Sequence, residues 1–419
     1  MADVAGMGAI WRTLNIPNYR NYTAGNFASQ LGMWVQRIAV GWLTWELTKS
    51  PTWLGIIAFA DFFPNIVFAP LAGALADRMD RLRAIRLYMV ISAVLSGAIA
   101  GLTVAGLITV EALLLLVLAN GIAMSFNYPV RLSIIHALVG HDALTTAISI
   151  NAIAFNVARI GGPALAGIII EFWGIGPAVS FTVVADILFV FALYAVTVAS
   201  TGKPKEKRSA SEIPQEIVDG FRYVWGHPGL GPLLFILAFY SIFARPFIDL
   251  FPGFADAVFG RGADALAMLT SMLGVGSLFG SVFLARLQGV AGLTRILIAN
   301  VLLMSLAVIG FAATENFWFA LACTGVAGIA IVMIGVIEQT LLQASVDGAM
   351  RGRVLSFYTL IARGCPSLGA LLMGTLASYA GLQLPVAAGA VLCIGLWYWA
   401  WRRQDSLGRS LEVKPDQKS

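Results

Sequence analysis

The sequence predicts an all-α polytopic membrane protein: twelve transmembrane helices arranged as two pseudo-symmetric six-helix bundles. Three observations carry this prediction. The chain is 59% hydrophobic and only 12% charged, with a mean hydropathy of +0.83, whereas a soluble domain presents about 25% charged residues to water. Apolar runs of roughly 18 residues or more, the length a helix needs to cross a hydrocarbon core, recur along the whole chain. The runs also divide into two sets of six around one long polar segment, with related sequences at matching places.

In order, the first six spans are expected near 22–46, 51–75, 84–107, 110–130, 146–172 and 177–199. The other six are expected near 230–252, 264–286, 292–312, 317–342, 353–379 and 383–401. A polar arm precedes the first span and that span is full length, so no cleavable signal peptide is expected. Residues 1–200 then form an N-terminal bundle and 201–229 a linker. The linker's second half, EIPQEIVDGFRYVW, has apolar residues at helical spacing suited to a membrane surface. Residues 230–402 form the C-terminal bundle and 403–419 a tail. Glycine is abundant (43) and much of it falls inside spans, where small residues let helix backbones approach closely. GVGSLFG (Gly274 to Gly280) reads as helix packing rather than a phosphate-binding loop.

Charge sets the orientation. With the N-terminus inside, twenty-one Lys and Arg fall on the cytoplasmic side, Arg131 among them, and only Lys49 and Arg261 opposite. That asymmetry is the positive-inside rule. It places both termini in the cytoplasm of a cell whose inner, or plasma, membrane holds the protein. The net charge of +5 is thereby topological, and no nucleic-acid partner is expected. Cys323, Cys365 and Cys393 lie in spans without paired spacing, so neither a disulfide framework nor a metal site follows. His136, His141 and His227 are placed in loops. No nucleotide-binding motif and no catalytic constellation are visible, so the reading is a protein that is not an enzyme and carries no cofactor.

Four arginines, Arg37, Arg159, Arg245 and Arg363, fall within spans. Each costs about 2.5–3.5 kcal/mol at mid-helix unless it faces a polar cavity or an acid. The acids available are Asp61, Asp186, Asp249 and Glu338. Arg37 and Asp61 sit at comparable depth on consecutive antiparallel helices, so they read either as a static pair or as a proton-carrying pair. Arg245 and Asp249 are four apart and fit one helix face. Glu338 joins Gln339 and Gln343 in a polar face of the tenth span, and Asp186 reads as isolated and peripheral. Arg159 and Arg363 occupy equivalent places, in AFNVARIGGPALAG (154–167) and TLIARGCPSLGALLMG (359–374). The candidate substrate and proton path is therefore Arg37, Asp61, Arg159, Glu338 and Arg363. Tryptophans near span ends read as an interfacial belt, with Trp34, one turn from Arg37, the exception that borders the path.

GALADRMDRLRAIR (Gly73 to Arg86) places four arginines and two aspartates between two apolar runs. Gly73-x-x-x-Asp77-Arg78-x-Asp80-Arg81-Leu82-Arg83 resembles the motif G-x-x-x-D-R/K-x-G-R-R/K between spans 2 and 3 of the major facilitator superfamily. It departs from that motif at Asp80 and Leu82. The opening NIPNYRNYTAGNFASQLGMWVQRIAVGWLTWELTKSPTWLGII resembles the transmembrane secretion effector branch, which includes enterobactin exporter-like and macrolide efflux-like proteins. Ala158, Gly162-Pro163, Ala166 and Gly167 resemble the packing motif of the fifth span in antiporters. The fourth span, LLLLVLANGIAMSFNYPV, lacks the embedded arginine of many proton-coupled drug antiporters. The resemblance implies alternating access and a cytoplasmic gate of Gly73, Asp77, Arg78 and Arg81, in which Asp77 meets the eleventh helix near Gly352 and Arg353. It also implies a monomer that exports a small amphipathic or lipophilic compound, coupled to protons and surrounded by lipid. Uptake or facilitated diffusion of a solute, or lysolipid flipping, by the same fold are the alternatives.

Overall fold

A computed structural model describes residues 2–76, 80–140, 143–197, 213–287, 289–348 and 350–412. The secondary structure of the described residues is helical, with no strand among them. The helices are α1 (Ala2–Leu14), α2 (Pro17–Thr48), α3 (Pro51–Ala76), α4 (Arg81–Val104), α5 (Val110–Val139), α6 (Leu144–Trp173), α7 (Ile175–Tyr194) and α8 (Ile213–Gly226). They continue with α9 (Leu230–Phe243), the single turn α10 (Phe251–Gly253), α11 (Ala263–Leu284), α12 (Leu293–Ala312), α13 (Phe317–Ser345), α14 (Arg351–Ala380), α15 (Gln383–Arg402) and α16 (Gln404–Leu411).

Eleven stretches among the described residues are helical, long and apolar enough to cross a membrane. The remaining expected span is α2, whose 32 residues cover about 48 Å at 1.5 Å each. Its sequence is more polar because Asn26, Ser29, Gln30 and Gln36 are buried against protein rather than facing lipid. The seventh span is one apolar stretch, Leu230–Val258, but not one regular helix. After α9 the chain passes through a 3₁₀ turn at Arg245–Ile248, then α10, then a π turn at Phe254–Val258. Pro246 and Pro252 cause this, since proline supplies no N–H and clashes with the preceding turn.

Helix starts are fixed locally. Asp80 Oδ1 accepts the Arg83 N–H at 2.8 Å and caps α4. Thr109 caps α5 and Asn316 caps α13. His227 Nδ1 accepts the N–H groups of Gly229 and Leu230 where α9 begins. The α6–α7 connection is the single residue Gly174 at φ 87°, a left-handed conformation that glycine adopts without steric cost.

The chain forms two compact units. Unit 1 comprises Met1–Lys49, Ala60–Glu206 and Arg261–Ser271. Within it α2 lies against α7, where Gly25 faces Phe189 and Ala192, and Gly32 faces Thr182 and Ala185. Its apolar core gathers Tyr19, Tyr22, Ile85, Met89, Ile134 and Phe189. Gly167 of α6 packs on Ala267. Unit 2 comprises Ser50–Phe59, Lys207–Gly260 and Met272–Ser419. Phe247, Phe251, Phe254 and Phe311 form its aromatic centre. Gly276 and Gly280 of α11 meet the backbone of α13 at Gly325 and Ile329, so the GVGSLFG glycines serve helix packing. The last described residue, Glu412, spans the start of α12: its carboxylate accepts from Gly292 N at 2.7 Å and Thr294 N at 2.9 Å.

Two sequence expectations change here. α5 runs to Val139, nine residues beyond the expected end, so Arg131 and His136 stand in a helix and not in a loop. The straight helix face proposed to pair Arg245 with Asp249 does not exist, because the 3₁₀ turn interrupts it.

Candidate functional site

Membrane-embedded charge is costly, so the helices place their polar side chains where protein rather than lipid surrounds them. Each unit gathers such a cluster. In unit 1, the Arg37 guanidinium lies 4.9 Å over the Phe62 ring and 5.6 Å from Trp34, beside Asp61 in the sequence. Trp34 stacks edge-on with Phe155 of α6, centroids 6.1 Å apart, and its Cβ fills the space a side chain at Gly162 would need. Gly162 and Pro163 thus let α6 close on the aromatic that borders Arg37. Arg159, half-buried, stands three residues earlier on the same helix. Trp34 is confirmed as a neighbour of Arg37.

Deeper in unit 1 lies a network that the sequence reading missed. Asp186 is 3% exposed and not peripheral. Ser29 Oγ donates to its Oδ1 at 2.9 Å, and Ser92 Oγ donates to its Oδ2 at 2.7 Å. Arg131 Nη2 donates to Ser29 Oγ at 3.2 Å, and its guanidinium lies 5.1 Å from the Phe189 ring. Four helices supply these groups: Ser29 from α2, Ser92 from α4, Arg131 from α5 and Asp186 with Phe189 from α7. One signal was available, since burying Asp186 inside lipid requires hydroxyl or basic partners, and Ser29, Ser92 and Arg131 sit at suitable depths. Next to it, Asn26 Nδ2 donates to Asn151 Oδ1 at 2.9 Å.

In unit 2 the centre is Glu338, 1% exposed, both of whose carboxyl oxygens are enclosed without a hydrogen-bond partner among the described residues. Arg245, Tyr240 and Tyr358 are its electrostatic neighbours. Arg245 Nη1 also donates to the carbonyl of Ala362 at 3.2 Å, next to Arg363, and Tyr358 Oη donates to the carbonyl of Gly335 at 3.1 Å. The proline-broken turn after α9 carries Arg245 to this place. Gln339 and Gln343 are exposed, so they do not share a face with Glu338.

Of the gate residues, Asp77 and Arg78 lie outside the described residues, Gly73 lies on α3, and Arg81 opens α4. Asp80, where the superfamily motif has glycine, is the N-cap of α4. Arg353, expected by resemblance near Asp77, pairs in unit 2 with Asp219 of α8 at 3.3 Å. Tyr223 of α8 donates to Asp347 at 2.9 Å, and Gly220 packs on Phe357 and Arg353, so the linker helix is fastened to the start of α14. Desolvation raises the Tyr223 phenol above its ordinary range, with its backbone and side-chain contacts to Asp347 acting in opposite senses.

Comparison with known proteins completes this frame. The family model described as transmembrane secretion effector matches residues 9–402. The chain belongs to this family of the major facilitator superfamily. It is 22% identical over 395 residues to the staphyloferrin A transporter of Staphylococcus aureus, covering 91% of this chain and 96% of that protein. It is 25% identical over 354 residues to the multidrug efflux pump Tap of Mycolicibacterium fortuitum, covering 83% and 86%. Among solved structures, the nucleoside transporter NupG superposes with a TM-score of 0.73 at 13% identity, covering 92% of this chain and 98% of that one. That likeness shows the fold alone. Family and fold are those of multi-pass membrane transporters, not enzymes.

Proposed function

We propose that this transporter exports a small amphipathic or lipophilic compound by alternating access, driven by proton antiport. In this reading the two six-helix bundles, 1–200 and 230–402, alternate about a path lined by Arg37, Asp61, Arg159, Glu338 and Arg363. The loop residues Gly73, Asp77, Arg78 and Arg81 gate it from the cytoplasm, where both termini lie. Gly162, Pro163 and Gly167 supply the close packing. Efflux as the direction draws on the relatives named for multidrug and siderophore transport, and a monomer in a lipid bilayer is sufficient for it.

Glu338 carries the reading. An enclosed carboxylate with no hydrogen-bond donor costs far more than an enclosed neutral acid. The closed arrangement therefore holds Glu338 with its proton, and a wetted arrangement lets it go. Arg245 beside it supplies the charge that stabilises the deprotonated form once water enters. Binding and release of one proton at Glu338 would thus be tied to opening and closing of unit 2, which is what antiport requires.

The test uses purified protein in proteoliposomes with an imposed pH gradient, screening a macrolide, a siderophore and a lysolipid. Gradient-driven accumulation is expected for the wild type. Glu338→Gln is expected to keep substrate exchange across the bilayer and lose accumulation. Wild-type transport indifferent to the gradient removes antiport and favours facilitated diffusion. Turnover of the lysolipid alone assigns lipid flipping instead.

A further inference from the structure

We infer that Asp186 is a second proton-binding site, in unit 1, with Ser29 as the hydroxyl that switches between its two protonation states. The inference deepens the proton-coupled reading but stands on a different cluster from Glu338.

The geometry offers two hydrogen-bond arrangements of the carboxyl and its two serines. In the first, Asp186 is ionised. Ser29 Oγ donates to Oδ1 and Ser92 Oγ to Oδ2, while Arg131 Nη2 donates to Ser29 Oγ. The guanidinium and the carboxylate are thus joined through one hydroxyl, without direct contact. A hydroxyl has one hydrogen and two acceptor sites, and Ser29 uses the hydrogen and one acceptor site here.

The second arrangement depends on Met89. Its Sδ lies 3.6 Å from Ser29 Oγ, as an alternative acceptor for the same hydrogen, and 3.1 Å from Arg131 Nη2. When a proton from water adds to Asp186 Oδ1, the new O–H donates to Ser29 Oγ at its second acceptor site. The Ser29 hydrogen then turns from Oδ1 to Met89 Sδ. Arg131 keeps its bond to Ser29, and Ser92 keeps donating to Oδ2. The O–H of Asp186 forms as an O–H of hydronium breaks and leaves water, and Ser29, Ser92 and both carboxyl oxygens keep partners.

The surroundings suit a charge that comes and goes. With Asp186 neutral, the Arg131 cation faces the Phe189 ring at 5.1 Å, an attraction that strengthens where water is scarce. Among titratable or charged groups, α5 contributes Arg131. α2 contributes Tyr22, which faces Arg131. α4 contributes the non-titrating Ser92 and Met89, Tyr88 in the same apolar core, and Arg86, which donates to the Leu193 carbonyl of α7 at 2.6 Å. α6, the remaining helix packed on α7, carries Arg159 and Glu171. Of these, Arg159 lies at a depth comparable to Asp186, both about 18–23 Å along their helices from Gly174.

The test is infrared difference spectroscopy of the full chain in liposomes, comparing acid with alkaline pH. The wild type is expected to show protonated-carboxyl C=O bands. One band is expected to vanish in Asp186→Asn, persist in Glu338→Gln, and change frequency in Ser29→Ala, which removes its hydrogen-bond partner. A C=O region in Asp186→Asn identical to the wild type overturns the proposal, because Asp186 is then a fixed anion. Should Asp186→Asn fail to fold, Ser29→Ala and Met89→Leu decide: bands unmoved in both overturn the proposal equally. Failure of antiport is read separately, as transport indifferent to the pH gradient.

Discussion

Adding one methyl group at two glycines of unit 2 should have opposite effects. A side chain at Gly276 of α11 would fall on the carbonyl of Gly325 and come within 3.1 Å of the Ile329 nitrogen, both backbone atoms of α13. Backbone cannot rotate away, so the helices must separate, and overpacking of this kind costs about 1–3 kcal/mol. Alanine recovers about 1 kcal/mol of helix propensity over glycine. Taking the upper end of the overpacking range, Gly276→Ala should lose about 2 kcal/mol net. Gly335 of α13 has nothing within 4 Å of where a side chain would stand, so Gly335→Ala should gain about 0.5–1 kcal/mol. The two variants then differ by about 3 kcal/mol, roughly a hundredfold in the folding equilibrium. Denaturant titration of detergent-solubilised protein, followed by circular dichroism, measures both. If Gly276→Ala is as stable as the wild type or more so, the close backbone contact between α11 and α13 is refuted.

Two further changes probe helix ends. Asp80→Ala removes the cap of α4 and should cost about 1 kcal/mol, while Asp80→Gly, which restores the glycine usual in the superfamily loop, should cost only a few tenths. Amide exchange in the first turn of α4 separates them, and equal rates in both variants would remove the cap from the account. Glu412→Ala deletes two charge-assisted bonds at the N-terminus of α12 from a half-buried position, a loss of about 1–2 kcal/mol. Faster amide exchange is expected in both α16 and the start of α12. An unchanged exchange rate in α12 would mean that the Glu412 contacts contribute nothing.

The candidate site was legible in part. Glu338 and the arginines stood out because a charge within an apolar run is expensive wherever it is placed, so its presence alone signals a polar surrounding. Which partner each charge meets was not legible. Arg245 and Asp249 had the right spacing for one helix face, yet Pro246 breaks that helix and Arg245 also reaches the α14 backbone. Glu338 and the two glutamines looked like one polar face, yet one is enclosed and two are exposed. Arg131 was assigned to a loop because positive charge marks a cytoplasmic connection, whereas α5 continues past it and brings it to Ser29.

The sequence by itself determined the helical membrane class and nearly all of the spans, because lipid offers the backbone no partners and forces each crossing into a long apolar helix. It also determined the family, through the loop motif and the opening span. The tertiary structure alone decided that α2, the most polar of the long helices, is buried against protein. It alone decided that Asp186 finds Ser29 and Ser92, 157 and 94 residues away in the chain. Hydrophobic periodicity records which positions avoid water or lipid, a property of one helix at a time. A hydrogen bond between two helices depends on their relative rotation and depth, which only the packing of small residues such as Gly25 and Gly32 against α7 fixes.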